Sequence, residues 1–172
     1  VSPDEQTFLS AMEANVIWWD IDTGEKLLII DGPEILSDGH FHSVEFLPDG
    51  ETALVALGSD LQLRNLSNGD VLRAFSGHTD WINGLATTDD FLSAVTSSSD
   101  QSLIHWDIQT GNALQTYESH TNIARSVAIA PDNLTMTSTA DDGRVIVWDM
   151  LSGETIRIID GSSGAILSVV YT

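Results

Sequence analysis

A Trp-Asp pair recurs at a fixed distance along this chain of 172 residues. The pair stands at Trp106-Asp107 and returns 42 residues later at Trp148-Asp149. An earlier pair stands at Trp19-Asp20, and Arg64-Asn65 occupies the position between, so the spacings are 45, 42 and 42 residues. A constant period of this length indicates a repeat protein in which each repeat folds as one supersecondary unit.

Two further markers keep the same period. A turn of small residues ending in glycine follows each Trp-Asp position, including the second, which lacks the tryptophan. These glycines are Gly24, Gly69, Gly111 and Gly153. A second marker reads Pro3-Asp4, Pro48-Asp49, Thr88-Asp89 and Pro131-Asp132. The agreement of these markers indicates four copies of one unit.

Each copy has the residue pattern of four short strands. Residues 144–149 are β-branched and aromatic, and turn residues bound them on both sides. Residues 126–130 alternate with a period of two and stop at a Pro-Asp turn. Residues 134–138 and 155–159 complete the set, and no copy shows a helical pattern. We therefore predict a four-stranded antiparallel meander per copy.

Bulky residues on both faces of these strands require each sheet to pack against a neighbour on either side. Similar sheets packed face to face around an axis form a β-propeller, so we predict an all-β propeller fold. The sequence resembles the WD-repeat β-propeller family, whose signature is Gly-His followed by Trp-Asp. Gly77-His78 precedes Trp106-Asp107, and Ser119-His120 precedes Trp148-Asp149. The second copy departs from the signature, because its Gly39-His40 is out of register.

We predict a single domain over residues 1–172 with four WD-type blades. The first strand of the first blade is missing at the N-terminus, and a first strand without a following blade stands at the C-terminus. The predicted blades are 1–31 with 165–172, 40–76, 78–118 and 120–160.

The strand offset leaves three ways to close a ring. One chain could close alone with four blades, two chains could exchange their last strands to give eight, or the chain could be half of a longer polypeptide. We favour the eight-bladed homodimer, because the resemblance implies seven or eight blades and four blades demand a steeper wedge between sheets. Exchange would also pair two strand edges that are otherwise exposed.

Composition narrows the classes of partner. The chain has 26 Asp and Glu against 6 Lys and Arg, a net charge of −20, so we expect no binding to nucleic acids or anionic membranes. The charge fits a soluble surface or a basic protein partner. No window has the apolar length of a membrane span, and the absence of cysteine fits a cytoplasmic location.

Polar residues of the third copy have the composition of a Ser-His-Asp triad, at His78, Ser98 and Asp100 beside Trp106. The WD-repeat resemblance implies a different role for them. In such blades an aspartate binds the histidine, the histidine binds a hydroxyl, and the hydroxyl accepts the indole N–H. We therefore expect a structural network, because a buried polar group without a partner costs about 1–3 kcal/mol.

The fourth copy repeats this network with a different hydroxyl. Its members would be His120, Ser138, Asp142 and Trp148, with Ser138 standing at the position of Thr96 and Ala140 at that of Ser98. Glu13 and Gly58 replace the aspartate in the first and second copies, so we expect no network there.

No residue pattern in the chain predicts catalysis, a metal or a cofactor. The aspartates of the Trp-Asp pairs lie one per blade, about a sheet spacing of 10 Å apart, which is too far to share an ion. Phe41 and Trp81 fall in loops before first strands and are candidate anchors for a partner. We expect a non-catalytic protein-interaction scaffold. The alternatives are a structural fragment of a larger propeller protein and an enzyme with its site in the central channel.

Overall fold

The computed structural model describes residues 1–12, 15–31, 41–161 and 163–171. These residues form fifteen β-strands. The strands are β1 (Thr7–Met12), β2 (Asn15–Asp20), β3 (Lys26–Asp31), β4 (Phe41–Phe46), β5 (Thr52–Leu57), β6 (Asp60–Asn65), β7 (Val71–Phe75), β8 (Ile82–Thr87), β9 (Ser93–Ser98), β10 (Ser102–Asp107), β11 (Ala113–Glu118), β12 (Ala124–Ile129), β13 (Thr135–Ala140), β14 (Arg144–Asp149) and β15 (Thr155–Asp160).

The strands form four antiparallel meanders, each hydrogen-bonded in chain order. The first sheet contains β1 to β3, and the next three sheets contain β4 to β7, β8 to β11 and β12 to β15. The predicted all-β fold with WD-type blades is confirmed by these sheets. The described part of the chain contains no helix with the length and apolarity needed to cross a bilayer.

The Trp-Asp position has the same backbone geometry in every sheet. The pairing register shifts immediately before Trp19, Arg64, Trp106 and Trp148, where the strand that contains this residue pairs with the next strand of the chain. The turn that follows is closed by a glycine with positive φ, +76° at Gly153, which a residue without Cβ adopts at no steric cost. The repeated bulge and turn explain why tryptophan and glycine recur with one period.

Two compact units, residues 1–76 and 77–172, divide the chain. In the first unit, Val16 and Ile30 of the first sheet share a buried cluster with Phe46 and Val55 of the second, and Trp18 packs against it. In the second unit, buried residues of the third and fourth sheets form one cluster. Its members are Val95, Leu103, Tyr117, Val127, Met136, Ile146, Trp148 and Met150.

The third and fourth sheets approach each other closely at Gly84. A Cβ added there would lie 2.6 Å from Ser97 Oγ and 3.1 Å from Ser126 Cα of the next sheet. The Asn83 side chain donates a hydrogen bond to the Ala124 carbonyl at 2.9 Å, which joins β8 to the segment that begins β12. Farther out, the Tyr117 hydroxyl donates to the Met150 carbonyl at 2.9 Å. Polar bonds and close packing therefore fix this pair of blades together.

Residues 163–171 lie against the fourth sheet without forming a strand ladder. The Ile166 N–H donates to the Ala140 carbonyl at 3.1 Å, and the Tyr171 hydroxyl lies 2.7 Å from Thr137 Oγ1. A ladder needs a partner strand alongside, and no described strand pairs with this segment. The prediction that residues 165–172 complete the first blade stays a prediction.

Some predicted features lie outside the described residues. Gly39-His40, the irregular signature of the second blade, falls in the segment 32–40, and Glu13 also lies outside.

The close approach at Gly84 leads to a prediction about stability. We expect Gly84→Ala to lower the free energy of unfolding by about 1–3 kcal/mol, because the added methyl group would overlap atoms of two strands. Gly164→Ala is the matched control, since a Cβ there has no neighbour within 4 Å. Thermal and urea unfolding measure both. Equal stability of the two variants would contradict the close packing of β8 on β12.

Candidate site: two buried hydrogen-bond networks

The glycine before His78 explains how the histidine enters the third sheet. A Cβ added to Gly77 would lie 2.9 Å from Trp106 Cη2 and 3.1 Å from Ile104 Cδ1. The backbone therefore passes directly over the indole, which only glycine permits without a shift. The next residue then places its imidazole beside the ring, with the centroids of His78 and Trp106 6.2 Å apart at 70°.

A chain of hydrogen bonds runs through the third sheet from the surface to the indole. His78 Nδ1 lies 2.9 Å from Asp100 Oδ2, and His78 Nε2 lies 2.8 Å from Thr96 Oγ1. The Trp106 indole N–H donates to Thr96 Oγ1 at 2.8 Å. A neutral imidazole with its proton on Nδ1 satisfies the three contacts, since it donates to Asp100 and accepts from Thr96.

The fourth sheet carries the same chain with serine in place of threonine. His120 Nδ1 lies 2.9 Å from Asp142 Oδ2, and His120 Nε2 lies 2.7 Å from Ser138 Oγ. The Trp148 indole N–H donates to Ser138 Oγ at 2.8 Å. The structure thus brings together the four residues predicted in this copy.

The structure corrects the hydroxyl predicted in the third copy. Ser98 lies outside the chain of bonds, because Thr96 stands between His78 and Trp106. Ser98 Oγ instead donates to the Asp80 carbonyl at 2.9 Å and accepts from the Asp100 N–H at 3.1 Å. The two hydroxyls point to one face of β9, but they are two residues apart, and only Thr96 lies within reach of the indole.

Ten residues separate hydroxyl and tryptophan in both networks, and this constant spacing is the signal that identifies Thr96. A bond of the same kind, at a spacing of nine residues, is present in the first sheet, where the sequence predicted no network. The Trp19 indole N–H donates to Ser10 Oγ at 2.8 Å. In the second sheet Arg64 takes the tryptophan position and donates to the Gly69 carbonyl at 3.0 Å.

Electrostatics favour a neutral His78 and ionised Asp100 and Asp142. Burial lowers the pKa of His78, although the nearby Asp100 carboxylate acts in the opposite direction. Burial works to raise the pKa of Asp100, but hydrogen bonds from Ser102 and Thr79 lower it below the ordinary value. The pKa of Asp142 is also lowered, because bonds from Thr121, His120 and Arg144 outweigh its burial.

These networks have the atoms of a hydrolase triad but lack access for a substrate. Thr96 and Ser138 are 0% exposed, and each hydroxyl oxygen already accepts an indole N–H. A nucleophile must reach its substrate and give its proton to a base that is free to accept it. The arrangement therefore satisfies the polar groups of a buried tryptophan and histidine, and we interpret it as a structural element.

The aspartates of the Trp-Asp pairs cap the turn that follows. Asp107 Oδ1 accepts the Thr110 N–H at 2.6 Å and the Thr110 hydroxyl at 2.9 Å. Asp149 accepts both groups of Ser152 in the same way, at 2.8 Å and 2.9 Å. Asp20 repeats the pattern with Thr23. Within the described ranges, no group of three histidines, aspartates or glutamates could hold a metal ion.

The structure describes the side chain of only one of the two candidate anchors for a partner. Trp81 is half-buried just before β8, and its carbonyl accepts the Ser99 N–H at 2.7 Å, so its loop is fixed to the end of β9. Phe41 begins β4, but its side chain lies outside what the structure describes. A partner-binding role for either aromatic residue stays a prediction.

The networks lead to a prediction about the hydroxyl of Thr96. We expect Thr96→Val to lower the free energy of unfolding by about 1–3 kcal/mol, since it leaves two buried polar groups without a partner. Thr139→Val is the matched control: the Thr139 hydroxyl is buried without a hydrogen-bond partner, so its loss should be neutral or stabilising. Urea unfolding measures both. A loss of stability only in the Thr139 variant would contradict the assignment.

A second prediction concerns His78 and Asp100, the two network residues that connect Thr96 to the surface. His78→Ala and Asp100→Ala should each lower stability by about 1–3 kcal/mol, because each change breaks the chain of bonds within a buried site. An unchanged thermal midpoint in both variants would reject the network.

The lowered pKa of His78 predicts how stability responds to pH. The unfolded chain takes up a proton at the ordinary value of 6.5, whereas folded His78 does so only at lower pH. The contribution of His78 to stability should therefore fall as the pH drops below 6.5. An NMR titration of the imidazole signals should give a pKa below 6.5. A value at or above 6.5 would mean that attraction to Asp100 outweighs burial.

Comparison with known proteins agrees with the repeat geometry. Residues 69–107 and 111–149 match the family model described as WD domain, G-beta repeat, each match ending on a Trp-Asp pair. A search of curated proteins found none that matches this chain. The WD-repeat resemblance predicted from the Trp-Asp spacing is thus confirmed over these two repeats.

Proposed function

We propose that this chain is a non-catalytic scaffold for protein–protein interaction. The observation that carries the proposal is the full use of the His-hydroxyl-Asp groups inside the sheets, where they satisfy buried tryptophans. The polar groups that resemble a catalytic triad are thus used in hydrogen bonds that stabilise the sheets. The loops that join the blades are the candidate binding surfaces. A rigid repeat scaffold with variable loops is suited to binding other proteins.

We further propose that two chains close one eight-bladed ring by exchanging their C-terminal segments. The first sheet has three strands, and β1 pairs with β2 alone among the described strands. Residues 163–171 belong to no ladder among the described strands. An unpaired strand edge is unfavourable, and an extended segment of another chain can satisfy it.

The repeat period gives the register of the exchange. Val127 lies opposite Ser138 in the fourth sheet, and Leu85 lies opposite Thr96 in the third. Val169 follows at the same period of 42 residues, and Ser10 is the corresponding hydroxyl position of the first sheet. Val169 of one chain would therefore lie opposite Ser10 of the other, as a first strand does in each complete blade.

Exposure of the Trp-Asp tryptophans supports a missing neighbour at the first sheet. Trp148 is 1% exposed, and its ring packs at 5.5 Å and 68° against Tyr117 of the preceding sheet. Trp19 at the matching position is only half-buried. Phe8 stacks on it at 5.8 Å, and Lys26 Nζ lies 5.3 Å from the ring. A fourth blade from a second chain would cover this face, as the third blade covers Trp148.

Strand exchange predicts the mass of the particle in solution. We expect a single species of about twice the chain mass of 18.6 kDa in analytical ultracentrifugation or native mass spectrometry. Deletion of residues 166–172 should abolish that species. A monomer near 18.6 kDa would contradict the exchange and favour the alternative, a structural part of a larger propeller.

A milder variant separates assembly from folding. Val170→Pro removes one backbone donor from the exchanged segment, and it should weaken the dimer at least roughly tenfold, while Val170→Ala keeps the donor and the dimer. Equal dimerisation of the two variants would contradict strand pairing.

The scaffold role is tested by the loops. Immobilised protein should capture specific partners from an extract of its own organism, and Trp81→Ala should reduce that capture without changing the thermal midpoint. Leu92→Ala, which truncates an exposed side chain outside the Trp81 loop, is the control. Capture that is identical for the wild type and both variants would contradict recognition through the Trp81 loop.

A further inference from the structure

We propose that an apolar groove between the third and fourth sheets binds a protein segment with leucine-type side chains next to lysine or arginine. The outer groove, as we name it, has a volume of about 450 Å³. It is lined by His105, Leu114, Gln115, Leu134, Met150 and Leu151. The proposal rests on the scaffold function and adds the place and the chemistry of one partner.

The lining of the outer groove is apolar and open to solvent. Leu114, Leu134 and Leu151 are 53%, 64% and 93% exposed. Burial of apolar surface contributes about 25 cal/mol per Å², so covering these side chains would favour association. Met150 forms part of the same wall, and its unbranched side chain adapts to different shapes. A contiguous apolar patch of this kind is typical of an interaction site.

The groove is fixed in place by contacts of the two blades that form it. The Tyr117 hydroxyl donates to the Met150 carbonyl, which joins the outermost strand of the third sheet to the turn after β14. Gly153 lies against the Gln115 side chain, since a Cβ there would be 2.5 Å from Gln115 Nε2. The Asn133 side chain accepts the Asp89 N–H at 3.1 Å. Because these contacts are present without a ligand, the outer groove is a preformed site.

Several residues next to the groove lining in sequence or by a hydrogen bond are acidic. Asp89 is joined to the groove edge through Asn133, and Asp132 and Glu154 are close in sequence to lining residues. No lysine or arginine lines the groove. His105 adds no positive charge at neutral pH, because burial lowers its pKa, and its Nε2 lies 2.8 Å from Ser93 Oγ.

This combination selects one kind of occupant. In the proposed exchange a second copy engages the edge of β1 and not this groove, and a further copy would bring another net charge of −20 to acidic surroundings. A segment that places leucine in the groove and lysine or arginine at the rim satisfies both features. Charge complementarity and the apolar lining therefore identify a basic, leucine-containing protein segment.

A pair of peptides tests this recognition on the full chain. The probe is a peptide of three Lys-Leu-Leu-Lys repeats, and the control replaces every lysine with glutamate. With methyl-labelled protein, the lysine peptide should shift the NMR signals of Leu114, Leu134, Met150 and Leu151, and the glutamate peptide should bind at least roughly tenfold more weakly. Shifts confined to other methyl groups, or equal affinity for both peptides, would overturn the proposal.

The repeat provides a matched control for Leu134 of the outer groove. Leu92 stands 42 residues before Leu134, at the same place in the preceding blade, and is 66% exposed. Leu134→Ser should raise the dissociation constant of the lysine peptide roughly tenfold, and Leu92→Ser should leave it unchanged. Equal effects of the two changes would overturn the assignment to the outer groove.

Charge variants test the rim separately from the lining. Asp132→Asn combined with Glu154→Gln should weaken binding of the lysine peptide severalfold and reduce its salt dependence. Asp132→Asn retains the oxygen that accepts the Leu134 N–H at 2.9 Å, so the turn should persist. Asp60→Asn with Glu25→Gln removes the same charge from other blades and should have little effect. Equal weakening by both pairs would contradict a local acidic rim.

Failure here is distinguishable from failure of the scaffold proposal. If the lysine peptide does not bind the wild-type chain, the outer groove proposal is overturned. The scaffold role is then still tested by the capture experiment with Trp81→Ala.

Discussion

A β-sheet with bulky residues on both faces has to be covered on both faces, and each of its outer strands has to meet a neighbour or water. The third and fourth sheets meet this requirement together. Val95 and Tyr117 of one share a buried cluster with Met136 and Trp148 of the other. Gly84 allows the inner strands to approach closely. The 42-residue period follows, because one unit must present the same faces to successive neighbours.

Burial of Trp106 and Trp148 explains the two hydrogen-bond networks. An indole N–H removed from water needs an acceptor, which Thr96 and Ser138 supply at 2.8 Å. A histidine and an aspartate then connect each hydroxyl to the loop before the first strand. Groups that could act as a catalytic triad elsewhere thus hold sheets together here. In the proposed function, recognition therefore falls to exposed features, the loops and the outer groove.

The repeat, the strands and the turns could be predicted from the sequence, because their markers are local and recur with one period. The choice of Thr96 over Ser98 could not, since both point to one face of β9 and only the position of the indole ring decides between them. The Ser10 bond in the first sheet was missed because Glu13 stands at the aspartate position of that copy and indicated that no network forms there. The outer groove is formed by segments of two blades, so its apolar lining is dispersed along the sequence.

The central claim is that the edge of β1 is completed by the C-terminal segment of a second chain. A disulfide tests it most directly, because the chain has no cysteine of its own. The repeat register places Val170 opposite Leu9, so Leu9→Cys with Val170→Cys should give, on oxidation, a linked species of twice the chain mass. Leu9→Cys with Leu167→Cys is out of register and should not link. A linked species of single-chain mass, or equal linking in the control, would contradict the exchange.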